Sequence, residues 1–516
     1  MAAEHEHGAA LQTKHRGILT VAVMMATVMQ ILDTTIANVA LPHMQASLNA
    51  TTDTITWVLT SYIVASAIAM PVTGWLSDRV GSRNLFIFSA IGFVAASMLC
   101  GIATGLEEMV LFRALQGISA AFINPLSQTV MLDINPPHRQ ASAMAVWGMG
   151  VMIGPIMGPV LGGWLTDNFD WRWCFYVNVP VGVVTVALLW WLLPSRPRVE
   201  RRFDLIGFSL LGLALSAFQI MLDRGQQQDW FSSWEIVVEA GVAAAAAWMF
   251  VVHLLTAPHP MFDRAMLANR NLLTAMFFML VTGLMMYATM ALLPPMLQTI
   301  WDYPVVDTGV LLAPRGVGVL MSMWVAGRLT GKVDPRILIG TGMTVAAASL
   351  WQMTTWSLGM DWHMIVASGF IQGLGLGLVF MPLNMSAFAT LNPRYRPEGA
   401  SLLNLLRSIG SSAGISIVTF MLTRNAQTSH QDLAGHITPF SLPSIDPTNA
   451  MAMGGAGDSM MAMIDAEVNR QALMIAYLDD FKMMAIVTLV TIPLVMLLRR
   501  PTGPAAKPDP AHAVME

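Results

Sequence analysis

The chain has 516 residues, of which 55% are hydrophobic and only 11% charged, with a formal net charge of −4. A soluble globular chain carries roughly 25% charged residues, so most of this one does not face water. The near balance of signs argues against a nucleic-acid partner, and two cysteines, Cys100 and Cys174, are too few for a disulfide framework or a thiolate metal site.

Lys14 and Arg16 precede an apolar run from Gly17 to Ala40. That run exceeds the roughly 7–15 residues of a signal-peptide core, so it reads as a retained first helix. A spanning helix needs about 20 mostly apolar residues. Runs of that kind fall at 17–40, 54–75, 84–104, 107–130, 142–165, 174–193, 204–222, 235–256, 271–293, 307–327, 337–356, 363–385, 399–422 and 479–498. The fold class is therefore an all-α polytopic membrane protein of fourteen helices. Cys100 and Cys174 both fall near outer helix ends, within reach of a bridge or simply as buried free thiols.

Lysine and arginine placement sets the orientation. With the N-terminus inside, the inner loops and tails hold Lys14, Arg16, Arg79, Arg83, Arg139, Arg196, Arg198, Arg201, Arg202, Arg264, Arg270, Arg328, Lys332, Arg336, Arg394, Arg396, Arg499, Arg500 and Lys507, most of the 27 basic residues. Both termini are expected in the cytoplasm of an inner-membrane protein. The segment Gly74 to Arg83 after the second helix matches Gly327 to Arg336 after the tenth, an offset of 253, and Gln116-Gly117 matches Gln372-Gly373 at 256. Two matches at nearly one offset predict two homologous six-helix bundles, 17–193 and 257–498, with two extra helices inserted in 194–256 and tails at 1–16 and 499–516.

Asp33 lies near the middle of the first helix, where a charge costs about 2.5–3.5 kcal/mol on insertion scales. Gln30, Asp33, Thr34 and Ala37 follow a helical stripe, with Asn38 beside it. Burial disfavours the charged form of a carboxyl, so Asp33 can hold and release a proton, or else serve as a structural hydrogen bond. Arg113, Gln116, Gly117, Ala120 and Asn124 form a matching face on the fourth helix. A permanently charged arginine opposite a carboxylate makes either a coupling device or a fixed ion pair. The fifth helix carries Gly150, Gly154-Pro155, Gly158-Pro159 and Gly162-Gly163. Small residues let helices approach closely and prolines allow bending, which suits a gate. The loop with Gly74, Asp78, Arg79, Gly81 and Arg83 reads as a charge latch or as basic charge around a turn. In the second half, Asn404, Arg407, Ser408 and Ser411 share a face, and Arg315 either lines the cavity or snorkels outward.

The 42 methionines, with Met451, Met453, Met460, Met461 and Met463 close together, reflect compositional bias more readily than copper ligation. His5, His7 and His15 read as a solvated tail. No nucleophile–base arrangement, phosphate loop or metal-ligand spacing stands out, so the expectation is a carrier without cofactor rather than an enzyme, driven by an ion gradient.

Gly74-x-Leu-x-Asp-Arg-x-Gly-x-Arg83, Arg113-x2-Gln-Gly117 and the Gly-Pro fifth helix resemble the signature motifs of the major facilitator superfamily, the last being its antiporter motif. Leu32 to Pro42 and Trp171 to Gly182 resemble its fourteen-helix drug:proton antiporter branch, and Gln219 to Gly225 with Asp229 to Ser233 resembles EmrB-type multidrug exporters. The resemblance covers nearly the whole chain. It implies exchange of protons for hydrophobic or amphipathic molecules, with Asp33 and Arg113 in coupling, an EmrA-type periplasmic adaptor and a TolC-type outer-membrane channel. Gly331 stands where the first loop has Asp78, so any latch in the second half is incomplete. An importer of a small polar solute on the same fold, and a membrane scaffold or sensor, are the competing readings. The long stretch from Thr423 to Leu478 reads as a periplasmic loop whose apolar residues from Met460 onward predict a short amphipathic helix, lying on the membrane or facing the adaptor.

Overall fold

A computed structural model describes residues 11, 13, 15–195, 202–437 and 455–499. Lys14, Arg196, Arg198, Arg201, Arg500 and Lys507, His5 and His7, most of both tails, and Met451 and Met453 lie outside the described residues. Hydrocarbon offers no partner for a free backbone N–H or C=O, so helices are the natural form for runs this apolar. Thirteen helices among the described residues are long and apolar enough to span a membrane. In the first half these are α1 (Arg16–Ser47), α2 (Trp57–Val80), α3 (Ser82–Ile102), α4 (Leu106–Asp133), α5 (Pro137–Asn168) and α6 (Trp173–Leu192). Then follow α7 (Leu205–Arg224) and α8 (Trp234–Thr256). The second half holds α9 (Arg270–Ile300), α10 (Val305–Leu329), α11 (Pro335–Met353), α12 (Trp362–Ala389), α13 (Arg396–Gly435) and α14 (Gly455–Thr491). The 19-residue α11 completes the fourteen; it starts on Pro335 with the Asp334 carboxylate capping the Arg336 amide. The described chain is all-helical, with the helices of a multi-pass membrane protein.

The two halves repeat each other in packing. α1 lies on α5, α2 on α4, α3 on α4 and α6; correspondingly α9 lies on α13, α10 on α12, α11 on α12 and α14. The halves meet along α5 and α10, where a side chain at Gly316 would strike Ile156 and one at Gly327 would strike Ala145. The inserted pair is not symmetric. α8 packs mainly on α7 and turns Trp248 outward, whereas α7 lies across the seam between the halves. Thr60 of α2 donates to Asp223 of α7. On the other side Gln219 donates to Ser412 (2.9 Å), Ser416 donates to the Leu222 carbonyl (2.6 Å) and Gln226 donates to Thr423 (3.1 Å).

The largest departure from the sequence reading is the segment from Thr423 to Leu478. The sequence predicts a loop there, with a short amphipathic helix from Met460 onward lying on the membrane or facing a partner. Instead α13 runs on to Gly435 and α14 already begins at Gly455, so both sides of 438–454 are helical. At 1.5 Å per residue the 40 residues of α13 reach about 60 Å, against roughly 30 Å of hydrocarbon. His430 and Asp465 pair across this hairpin at 3.2 Å. Met460, Met461 and Met463 sit on α14 within it. Hydropathy failed here because a polar helix end outside the bilayer has the composition of a loop.

Candidate functional site

The stripe of α1 and the face of α4 meet in the interior of the first half. Asp33 is 1% exposed and Arg113 is fully buried. Arg113 donates from Nη1 to Asp33 Oδ2 at 2.7 Å. Gln116 and Asn178 donate to Asp33 Oδ1 at 2.9 and 2.7 Å. The guanidinium also donates to the Val58 carbonyl (3.1 Å) and to Gln116 Oε1 (2.7 Å), and lies over the rings of Tyr62 (4.4 Å) and Phe175 (5.6 Å). Three donors thus favour the charged form of Asp33, and a proton arriving there competes with them. Asn178, in the second turn of α6, is not among the site residues read from the sequence, although it lies within the Trp171–Gly182 segment that carries the family resemblance; it is fixed in turn by a bond to Ser97 (3.0 Å).

One turn inward the stripe continues. Gln30 donates to the Tyr62 hydroxyl (3.1 Å) and accepts from Asn124 (2.6 Å). Of the other expected residues on α1, Thr34 bonds back to the Ile31 carbonyl (2.7 Å) and Asn38 is exposed, so neither joins the buried cluster. Cys100 and Cys174 are buried free thiols and form no bridge; Cys100 Sγ lies 3.7 Å from Gln116 Oε1.

Below this, a polar chain crosses between the halves. Gln128 of α4 donates to Asn384 of α12 (3.4 Å) and accepts from Asn404 of α13 (3.0 Å), while Arg407 donates to Asn404 (3.1 Å) over the Phe380 ring. Gln128 and Asn384 are repeat counterparts, so equivalent positions meet near the axis relating the halves. The adjoining void, lined by Met152, Thr282, Met286, Val319, Met323, Leu376 and Phe380, is about 10 Å³. Ligand pockets run to roughly 300–1,000 Å³, so the centre is closed in this conformation. A larger cavity of about 400 Å³ lies between α1, α4 and α5, lined by Thr20, Asn135, Arg139 and Ser142 among others. Arg315 faces inward and reaches only the Met286 carbonyl (3.1 Å) rather than snorkelling outward.

The glycine face of α5 packs on α1 beside Asp33. Side chains at Gly150, Gly154 and Gly158 would strike Met24, Ile31 and Thr35, and one at Gly162 would crowd Ile36. Gly163 has open space and does not belong to that face. Pro155 is half-buried and Pro159 exposed, and α5 stays continuous through both.

On the face that carries the basic loops the halves are tied together. Gly74 fits against the buried side chain of Glu398, leaving no room for a Cβ. Asp133, at the end of α4, bonds Arg396 at the start of α13 (2.8 Å), a link the sequence reading did not contain. Arg79 lies over Trp75, and Arg83 donates to the Trp190 carbonyl of α6 (2.5 Å). Gly81 makes the turn at φ 93°; Gly331 makes its turn at φ 90°, three positions earlier in the repeat, which accounts for glycine where the first loop has Asp78.

The profile of the Major Facilitator Superfamily matches residues 23–415. The Multidrug export protein EmrB of Escherichia coli is 36% identical, over 96% of this chain and 98% of its own length. The Fatty acid resistance protein FarB of Neisseria gonorrhoeae is 34% identical, over 94% of this chain and 96% of its own. Among solved structures, the human organic anion transporter MFSD10 aligns with a TM-score of 0.58 at 12% identity, covering 92% of this chain and 99% of that one. A bacterial Spinster homologue in an inward-facing, occupied conformation aligns at 0.55 and 16% identity, covering 94% and 97%.

Proposed function

The chain belongs to the Major Facilitator Superfamily, and on that premise we propose that it exports hydrophobic or amphipathic small molecules in exchange for protons by alternating access. Its relatives are multidrug exporters, and it is a multi-pass multidrug efflux transporter of the EmrB type. The observation that carries proton coupling is the buried Asp33–Arg113 pair with its two amide donors. A proton on Asp33 removes the charge that holds Arg113 and weakens the bonds from Gln116 and Asn178, and these donors sit on α4 and α6. Rearrangement of α1 against α5 then passes through the glycine face that begins next to Asp33. The halves are joined on the basic face by Asp133–Arg396 and Gly74–Glu398, so opening to that side must break both contacts.

We read the basic face as cytoplasmic, with both termini there in an inner membrane, and the far face as periplasmic. The α13–α14 hairpin then stands in the periplasm, where it suits docking of an EmrA-type adaptor and, through it, a TolC-type channel. The substrates are amphipathic compounds, and no cofactor takes part.

Asp33→Asn tests the reading. It keeps the shape and removes the titratable oxygen. In proteoliposomes the wild type should dissipate an imposed pH gradient on addition of substrate, and Asp33→Asn should not. Proton drive is worth about 2.3 kcal/mol per charge per 100 mV, so the uphill substrate ratio should fall by about 50-fold per 100 mV and charge moved. Full uphill export by Asp33→Asn would place coupling elsewhere.

A further inference from the structure

Asp480 of α14 is as buried as Asp33, at 1% exposure, and its situation is the reverse. Both carboxylate oxygens lack a hydrogen-bond partner among the described residues. Its neighbours along the helix are Tyr477, whose hydroxyl lies near Thr299 of α9, and Phe481, packed edge-on against Trp356 beyond the end of α11 at 5.7 Å. The Trp356 indole N–H is also buried without a partner among the described residues.

No charge nearby compensates it. α9 carries no acidic or basic side chain after Arg270, its one titratable group being Tyr287, and α11 carries only Arg336 at its opposite end. On α13, Arg407 is engaged with Asn404 (3.1 Å), Arg424 is exposed, and His430 pairs with Asp465. On α14 itself Asp479 and Lys482 are exposed, and neither bonds the buried oxygens.

An ionised carboxylate without donors is among the costliest groups to bury, whereas the protonated acid is neutral. The depth is also informative. Tyr477 is level with Thr299 and Thr488 with Met285, so Asp480 lies near the level of Pro295. Thr289 is the repeat counterpart of Asp33, which puts Asp480 roughly 9 Å farther toward the far face at 1.5 Å per residue. The geometry points to Asp480 as a second proton-binding site, in the other half of the molecule and nearer the far face than Asp33. It holds its proton while α9, α11 and α14 are packed as here and gives it up when that packing opens to water. Its part in transport rests on the proton-antiport reading above; its binding of a proton does not.

The test uses the full chain in lipid nanodiscs. A hydrophobic carbodiimide, which modifies protonated carboxyls in apolar surroundings, should label Asp480 at neutral pH by peptide mass spectrometry and leave the ion-paired Asp33 unlabelled. In alkaline titration with a pH-indicator dye, Asp480→Asn should release one proton fewer per chain than wild type, and Asp480→Leu should do the same. The leucine variant guards against a folding artefact of the amide. Labelling together with the missing proton supports the site. Absence of labelling, or an unchanged proton count in both variants, overturns it. These readouts stand even where no substrate-driven proton flux is found, so failure of antiport and failure of this site remain distinguishable.

Discussion

Helices α1 and α4 hold the same places in the first half as α9 and α12 in the second, yet the chemistry at the matched positions differs. Displaced by 256 residues, Asp33 becomes Thr289, Gln116 becomes Gln372 and Arg113 becomes Gly369. The amide bond survives, with Gln372 donating to Thr289 at 3.2 Å where Gln116 donates to Asp33. The acid is gone, and the cation has changed helix. Arg315 of α10 occupies the place of Tyr62: its backbone carbonyl meets Gly373 as that of Tyr62 meets Gly117, and its Cβ lies against Gly369. The duplication thus preserved the helix contacts and one hydrogen bond, and confined the ion pair to one half. A carrier built this way can have one half that responds to protonation at the centre and one that supplies a polar but unpaired wall.

The sharpest separation should come from the two arginines. Arg113→Ala leaves Asp33 buried with its charge uncompensated, which costs about 3–5 kcal/mol. Arg315→Met removes a cation that bonds the Met286 carbonyl, and its own burial was already costly, so the change should stay under about 2 kcal/mol. Thermal unfolding of both purified variants in one detergent checks this. Equal losses would mean that the halves carry comparable electrostatic loads and that the comparison above is mistaken.

What could be read from the sequence follows from how far apart the partners lie. Asp33 with Gln30, and Arg113 with Gln116 and Asn124, are stripes on single helices, visible from 3.6-residue periodicity alone. Links such as Gln128–Asn384, Asp133–Arg396 and Asn178–Asp33 join helices that are not neighbours in sequence, and no periodicity announces them. Asp480 was hidden differently. With the last helix expected to start at 479, it looked like a residue at a wet helix end, whereas α14 starts at Gly455 and buries it.

The glycine contacts sharpen the comparison in a second way. Gly154 and Gly158 on α5 correspond to Gly410 and Gly414 on α13, but Pro155 and Pro159 correspond to Ser411 and Ile415. The side chain of Ile31 stands over Gly154, whereas Gly410 abuts the backbone carbonyl of Leu280. The nearest obstacle at Gly154 is a methyl of Ile31, with Ile31 Cβ and backbone carbon behind it at 3.0 and 3.1 Å, and that methyl can give more than a helical carbonyl held in its bond. Gly410→Ala should therefore cost about 3 kcal/mol and Gly154→Ala about 1 kcal/mol, the two ends of the usual overpacking range. Gly154→Leu exceeds what Ile31 can yield and should stop transport while insertion persists. Melting midpoints and uptake into vesicles measure both. The reverse order for the two alanine variants would show that α5, prolines included, is the stiffer contact.

The smallest effect is expected at Thr289. Thr289→Val keeps the shape and removes the hydroxyl that accepts from Gln372, a neutral hydrogen bond worth about 1 kcal/mol. Nothing ionic depends on it. Its counterpart Asp33 carries the charge, so the same substitution of an acceptor by an inert group should have different consequences in the two halves. Thr289→Val should melt slightly lower and move as many protons per substrate as wild type, whereas Asp33→Asn leaves the buried Arg113 without its carboxylate, so it should melt markedly lower and lose the proton flux. Measured side by side in the same vesicles, the pair isolates the role of charge from the role of the shared hydrogen bond. A fall in proton flux for Thr289→Val would make the amide–acceptor contact itself part of coupling, and the second half a participant rather than a wall.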